Sequence, residues 1–93
     1  MTSILAVDDD EKIRDSLSMM LLHKAGRVLT ADHGQKGIDV SRRERPHVTI
    51  LDCEMPDRDG LAVLREILTI NPLAPVVRLK GVGTEQGKQQ ARE

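Results

Sequence analysis

Apolar residues along the chain alternate between short unbroken runs and stripes at helical spacing. Ser3 to Val7 (Ser-Ile-Leu-Ala-Val) is a run suited to a buried strand, and it ends in Asp8, Asp9 and Asp10. Ile13, Leu17, Met20 and Leu21 then fall at i, i+4, i+7 and i+8, which predicts an amphipathic helix opening near Glu11. Asp10 is a suitable N-cap, Glu11 suits the positive end of the helix dipole, and Gly26 closes the element. Arg27 to Ala31 reads as a second, weaker strand at a sheet edge. Gly34 to Arg43 is a poor helix by composition. Gly37 inside it costs about 1 kcal/mol relative to alanine, and its apolar residues, Ile38 and Val40, stand two apart. It is assigned as helix because strand and helix alternate on either side.

Val48 to Leu51 is a second strong apolar run, too short for a helix, and it stops on a carboxylate, Asp52. The loop after it holds Pro56, which lacks a backbone donor, and Gly60, which frees the chain to turn into the next helix. Leu61, Leu64, Ile67 and Leu68 form that helix's stripe, ended by Asn71-Pro72. Pro75 leads into a fourth strand, Val76 to Lys80, followed by a Gly81-Val82-Gly83 loop. Thr84 is a good N-cap for a polar helix over Glu85 to Arg92. The order β-α-β-α-β-α-β-α calls for an α/β fold: a doubly wound parallel sheet with helices on both faces and right-handed crossovers.

Composition narrows the function. At 93 residues with 39% apolar and 31% charged residues, the chain makes one small globular domain. A net charge of −1 supplies no basic field for nucleic acid or an anionic membrane. No apolar run approaches the roughly 20 residues of a bilayer span, and the first residues do not have the make-up of a signal peptide. Cys53 is the single cysteine, so no internal disulfide forms, and a reducing, cytoplasmic setting is expected. Aromatic residues are absent, which removes stacking platforms for single-stranded nucleic acid.

The candidate chemistry lies in the acids. In an open parallel sheet, ligands bind beyond the carboxyl ends of the strands. Asp8 and Asp9 end the first strand and Asp52 ends the third. Taken alone, Asp52 is open to two readings, a reactive carboxylate or a cap on the following loop. If the two strands are neighbours, three carboxylates repel at one edge unless a cation or protons occupy it. Mg²⁺ suits such a site, because it takes few carboxylates, retains waters and can coordinate a phosphoryl oxygen. A carboxylate beside it can accept a phosphoryl group as an aspartyl phosphate.

These residues resemble the response-regulator receiver domain of two-component signalling. The likeness is carried by Ile4-Leu5-Ala6-Val7-Asp8-Asp9-Asp10, by Ile50-Leu51-Asp52-Cys53-Glu54-Met55-Pro56-Asp57-Arg58-Asp59-Gly60, and by Pro75-Val76-Val77. The resemblance implies a flavodoxin-like receiver fold with strand order 2-1-3-4. It implies that Asp52 accepts phosphate from a histidine kinase or phosphotransfer protein. Asp9 would then bind Mg²⁺ directly, Asp8 mainly through water, and Glu54 through its backbone carbonyl. Met55 and Pro56 would shape the loop. Cys53 reads as a packing residue rather than a reactive thiol, and Arg42, Arg43 and Arg45 as a solvated helix end rather than a phosphate site.

Three departures from the family pattern stand out. Lys80 occupies the place of a Thr or Ser whose hydroxyl would contact the phosphoryl group; two readings of it stay open, an ammonium that stands in for the family's fifth-strand Lys or a side chain that points into water. Residues 1–93 read as one receiver domain that stops before a fifth strand and helix. One residue is also deleted around Gly26-Arg27 relative to the family pattern. A fourth strand left at the edge exposes unpaired backbone, so a homodimer, a swapped assembly or a marginal fold is expected, unless the 93 residues are a piece of a longer chain.

Rival readings are separable. Asp57, Asp59, Gly60 and Glu66 fit an EF-hand loop, but Met55 would take its first position and cannot ligate Ca²⁺. A Mg²⁺-dependent phosphohydrolase would need a general base, and His23, His33 and His47 are scattered. Turnover of an external ester supports that enzyme, and stoichiometric self-labelling a receiver. The remaining alternative is a degenerate receiver acting as an interaction or dimerisation module without phosphorylation.

Overall fold

The structure is a computed structural model that describes residues 2–55 and 59–79. Its elements follow in the order β1 (Ser3–Val7), α1 (Glu11–Leu22), β2 (Arg27–Ala31), α2 (Gly34–Glu44), β3 (Val48–Asp52), α3 (Gly60–Ile70) and β4 (Val76–Leu79). The strands form one parallel sheet in the order β2-β1-β3-β4. This is the expected receiver topology. Lys80, the Gly81–Gly83 loop and the expected helix over Glu85 to Arg92 lie outside the described residues, as do Pro56, Asp57 and Arg58.

Register places Val7 beside Leu51 and Ala31, so β1 and β3 end together at one edge. Their opposite ends are pinned. His47 Nδ1 accepts from the Ser3 backbone N–H at 2.9 Å and lies 3.0 Å from its hydroxyl, while the His47 N–H donates to the Ser3 carbonyl at 2.9 Å. At the same end Arg27 reaches Glu44 at 3.1 Å, tying the start of β2 to the end of α2. Arg43 shares that carboxylate, while Arg42 and Arg45 are exposed, as a solvated helix end requires.

The core lies between the sheet and α2 with α3. Leu5, Val7, Ala31 and Leu51 from the strands meet Ile38, Val40, Val63 and Ile67 from the helices. The weakest helix by composition is thus the most deeply seated: Gly34, Gly37, Ile38, Val40 and Ser41 of α2 are all buried. Gly37 explains the difference, since a Cβ there would sit 2.9 Å from a methyl of Val7. The residue that weakens the isolated helix lets it close onto β1. In α3, Val63 joins Ile67 in the core, whereas Leu61 and Leu68 of the expected stripe are exposed.

The first helix departs further from expectation. Asp10 caps it as anticipated, accepting from the Lys12 N–H at 2.8 Å. Yet no residue of α1 is buried. Arg14, Leu17, Ser18 and Leu21 are half-buried, whereas Ile13 and Met20 of the expected stripe face solvent. The helix spacing was read correctly, but the sheet covers only a narrow strip of it.

One buried hydroxyl stands out. Ser41 Oγ finds no hydrogen-bond partner among the described residues. Ser41→Ala is expected to raise stability by about 1 kcal/mol in denaturant unfolding, because an unpaired buried polar group costs about that much or more. A loss of stability would show that the hydroxyl is bonded after all.

Candidate metal centre

Because β1 and β3 are neighbours in register, Asp8 and Asp52 emerge side by side at the carboxyl edge of the sheet. Asp9 follows in the turn into α1. One carboxylate oxygen from each of Asp8, Asp9 and Asp52 lies within 4.8 Å of the others. Among the described residues this is the cluster of His, Cys, Asp or Glu with metal-holding geometry.

The three acids differ in setting. Asp8 is 2% exposed, Asp52 is half-buried and Asp9 is open to water. Each buried carboxylate is held by a backbone donor two residues on: the Asp10 N–H donates to Asp8 Oδ1 at 2.9 Å, and the Glu54 N–H to Asp52 Oδ1 at 3.0 Å. Those bonds aim the side chains across the gap between the strands. Burial foremost, with repulsion from Asp8 and Asp9, raises the Asp52 carboxyl to about 6 against the Glu54 N–H, which lowers it. Burial also raises Asp8, opposed by the Asp10 N–H. Burial and the mutual repulsion of the acids both penalise their charged forms, a cost that a bound cation would relieve. Its donors are all oxygen, which fits a hard divalent cation such as Mg²⁺.

Arg14 was not anticipated from sequence. Its Nη1 donates to the Asp8 carbonyl at 2.8 Å, tying α1 to the tip of β1. The signal was present, because Arg14 precedes Leu17 and Leu21 by three and seven positions and so shares their stripe. A cation in an apolar stripe is worth asking about.

The other candidates disperse. Cys53 packs against the core, and burial pushes its thiol up, away from the reactive thiolate. Asp59 caps α3, accepting from the Leu61 N–H, which occupies a carboxylate that the calcium-loop reading needs. His47 lies at the far end of the sheet beside Ser3, His23 ends α1, and His33 caps α2 by accepting from the Lys36 N–H at 3.1 Å. None of them joins the acidic cluster. Glu54 is exposed and linked to the site through its N–H to Asp52. Lys80 lies outside the described residues.

A family model described as the response regulator receiver domain matches residues 4–93. The transcriptional regulatory protein AfsQ1 of Streptomyces coelicolor is 37% identical over 79 residues, covering 85% of this chain and 35% of that protein. The chain spans about a third of the length of the curated relatives it matches. Among solved structures, Vibrio cholerae chemotaxis response regulator CheY4 superposes with a TM-score of 0.82 at 26% identity, covering 99% of this chain and 78% of that one. A response regulator receiver domain protein from Clostridium thermocellum gives 0.80 at 30% identity, covering 99% and 75%. No described helix is long and apolar enough to cross a membrane. With its sheet order, acidic edge and sequence in agreement, the chain belongs to the receiver-domain family of two-component response regulators.

Proposed function

We propose that Asp52 is the phosphoacceptor of this receiver, and that Asp8, Asp9 and the Glu54 carbonyl hold Mg²⁺ beside it. The observation that carries the reading is the meeting of three carboxylates from two strand ends within 4.8 Å. The donor is a histidine kinase or phosphotransfer protein in the cytoplasm. An Asp52 carboxylate oxygen attacks phosphorus, the phosphorus–nitrogen bond of the phosphohistidine breaks, and the imidazole leaves. Bound Mg²⁺ supplies the positive charge that the acids and the incoming phosphoryl oxygens lack. The Glu54 N–H holds one Asp52 oxygen at 3.0 Å and so orients the carboxylate for attack. The convergence of the acids supports this reading over that of a receiver kept only as an interaction module, and it makes the domain a signalling switch rather than a turnover enzyme.

Lys80, next after β4, is proposed to bring its ammonium to the phosphoryl oxygens. Stoichiometric labelling by a small phosphodonor such as acetyl phosphate tests both assignments. Wild type with Mg²⁺ is expected to gain one acid-stable, base-labile phosphoryl group. Asp52→Asn or removal of Mg²⁺ abolishes it, and Lys80→Ala shortens its lifetime. Labelling that survives Asp52→Asn would overturn the acceptor assignment. An unchanged yield and lifetime in Lys80→Ala would take Lys80 out of the site.

A further inference from the structure

Asp9 is the most exposed of the three acids, and its carboxylate is carried by a backbone turn between two peptide units. A peptide unit is planar and turns as one body, so the units on either side of Asp9 decide where its side chain starts. The unit after it is held by its N–H, which Asp10 donates to Asp8 Oδ1 at 2.9 Å. The unit before it is held by its carbonyl, which belongs to Asp8 and accepts from Arg14 Nη1 at 2.8 Å. Arg14 also reaches the far side of Asp9, because its backbone N–H donates to the Asp10 carbonyl at 3.0 Å. Asp9 thus sits in a bracket whose two ends are fastened to one residue of α1. Arg14 is half-buried on the strip shared with Leu17 and Leu21, and a guanidinium bonded to a carbonyl in a partly dry setting is a strong anchor.

We propose that Arg14 is a positioning residue for the metal, holding the Asp8–Asp9 peptide so that the Asp9 carboxylate is already aimed when Mg²⁺ arrives. The inference rests on the metal reading of the acidic edge proposed above. Charge and geometry pull in opposite directions here. As a positive charge alone, Arg14 repels a divalent cation, and its loss tightens binding. As an anchor, it orders Asp9 beforehand, and its loss leaves that ordering to be done at the moment of binding. The sign of the change therefore separates the two roles. The other bonds on Asp8 run to main chain: its N–H donates to the Ala31 carbonyl at 3.0 Å, and its carboxylate accepts the Asp10 N–H. The bond from Arg14 is made by a side chain, so a substitution removes it without touching a metal ligand.

Calorimetric titration of Mg²⁺ into the full chain, at a temperature where circular dichroism shows every variant folded, tests it. Arg14→Met keeps an apolar stem and loses the donors, and it is expected to bind Mg²⁺ about tenfold more weakly than wild type. Arg14→Lys keeps the charge and a donor for the carbonyl, and it binds within about threefold of wild type. Lys12→Met removes an exposed cation from the same helix without touching the bracket, and it leaves binding unchanged or slightly tighter. In Arg14→Met the Mg²⁺ concentration for half-maximal labelling of Asp52 by acetyl phosphate rises by the same factor as the calorimetric constant. The labelling rate at saturating Mg²⁺ stays within about twofold of wild type. Unchanged or tighter Mg²⁺ binding in Arg14→Met would overturn the proposal, as would a fall in the saturated rate with no shift in half-saturation. A wild type that binds no Mg²⁺ overturns the metal reading itself, and this inference with it.

Discussion

Gly60→Ala is expected to destabilise the fold by about 2–4 kcal/mol, more than the same change at Gly37. A Cβ at Gly60 would lie 2.5 Å from both the Cα and the carbonyl oxygen of Cys53, and 2.7 Å from its Cβ. Two of those three atoms are backbone, so no rotamer change relieves the clash. The start of α3 would have to lift away from the end of β3, and Cys53 directly follows Asp52. Site geometry should therefore suffer along with stability. Denaturant unfolding at fixed protein concentration gives the stability, and Mg²⁺ affinity gives the geometry. Gly37→Ala offers the comparison: its added methyl meets only side-chain atoms of Val7, at 2.9 and 3.0 Å, and alanine recovers about 1 kcal/mol of helix propensity. A smaller loss is expected there. If Gly60→Ala costs less than Gly37→Ala, the junction between β3 and α3 is more yielding than its geometry implies.

Asp52→Asn is expected to stabilise the metal-free protein at pH 7 while abolishing its chemistry. Burial lifts the Asp52 carboxyl from an ordinary 3.8 to about 6 in the folded chain. The folded state therefore binds the proton more tightly than the unfolded state does. Stability falls as pH rises from about 4 to about 6, and the whole of the loss is present above that window. Such a shift amounts to about 3 kcal/mol at most. Solvent around the half-buried carboxyl reduces the expected gain to about 1–2 kcal/mol at pH 7. Asp8, raised in the same direction, remains in the variant and keeps a weaker dependence of the same sign. Melting curves from pH 4 to pH 8 with a chelator should show wild type and Asp52→Asn converging near pH 4 and separating above pH 6. Mg²⁺ should then raise the wild-type melting temperature and close the gap, since a ligand that binds only the folded state stabilises it by mass action. Parallel curves at every pH would mean that the Asp52 carboxyl is not under strain.

Much of this architecture was legible in the chain because its strands are short apolar runs that end on acids. Val48 to Leu51 stopping at Asp52, and Ser3 to Val7 stopping at Asp8, placed both acids at strand tips without any knowledge of packing. The motif around Asp52 then supplied the strand order that makes the two tips neighbours. Burial was less legible. Gly37 reads as a defect when only the helix is considered, and it becomes a contact once Val7 lies beneath it. Ile13 and Met20 lie on a correct helical stripe, yet the neighbours that would cover them are a property of the whole sheet face. Gly60 was credited with conformational freedom. It needs no left-handed φ, and what it supplies is room for Cys53. Arg14 stood out only as a cation in the stripe of Leu17 and Leu21, and its partner, a backbone carbonyl, is not named by any side-chain pattern.

The Ser3–His47 clasp has a consequence for the opposite end of the molecule. It fixes how β1 and β3 are aligned at their starts, and four pairs of main-chain residues carry that alignment to the acids. A slip of one position would turn every side chain of β3 to the other face, Asp52 included. The separation between Asp8 and Asp52 is therefore measured out from a fastening that never touches them, like the jaws of a caliper set by its distant screw.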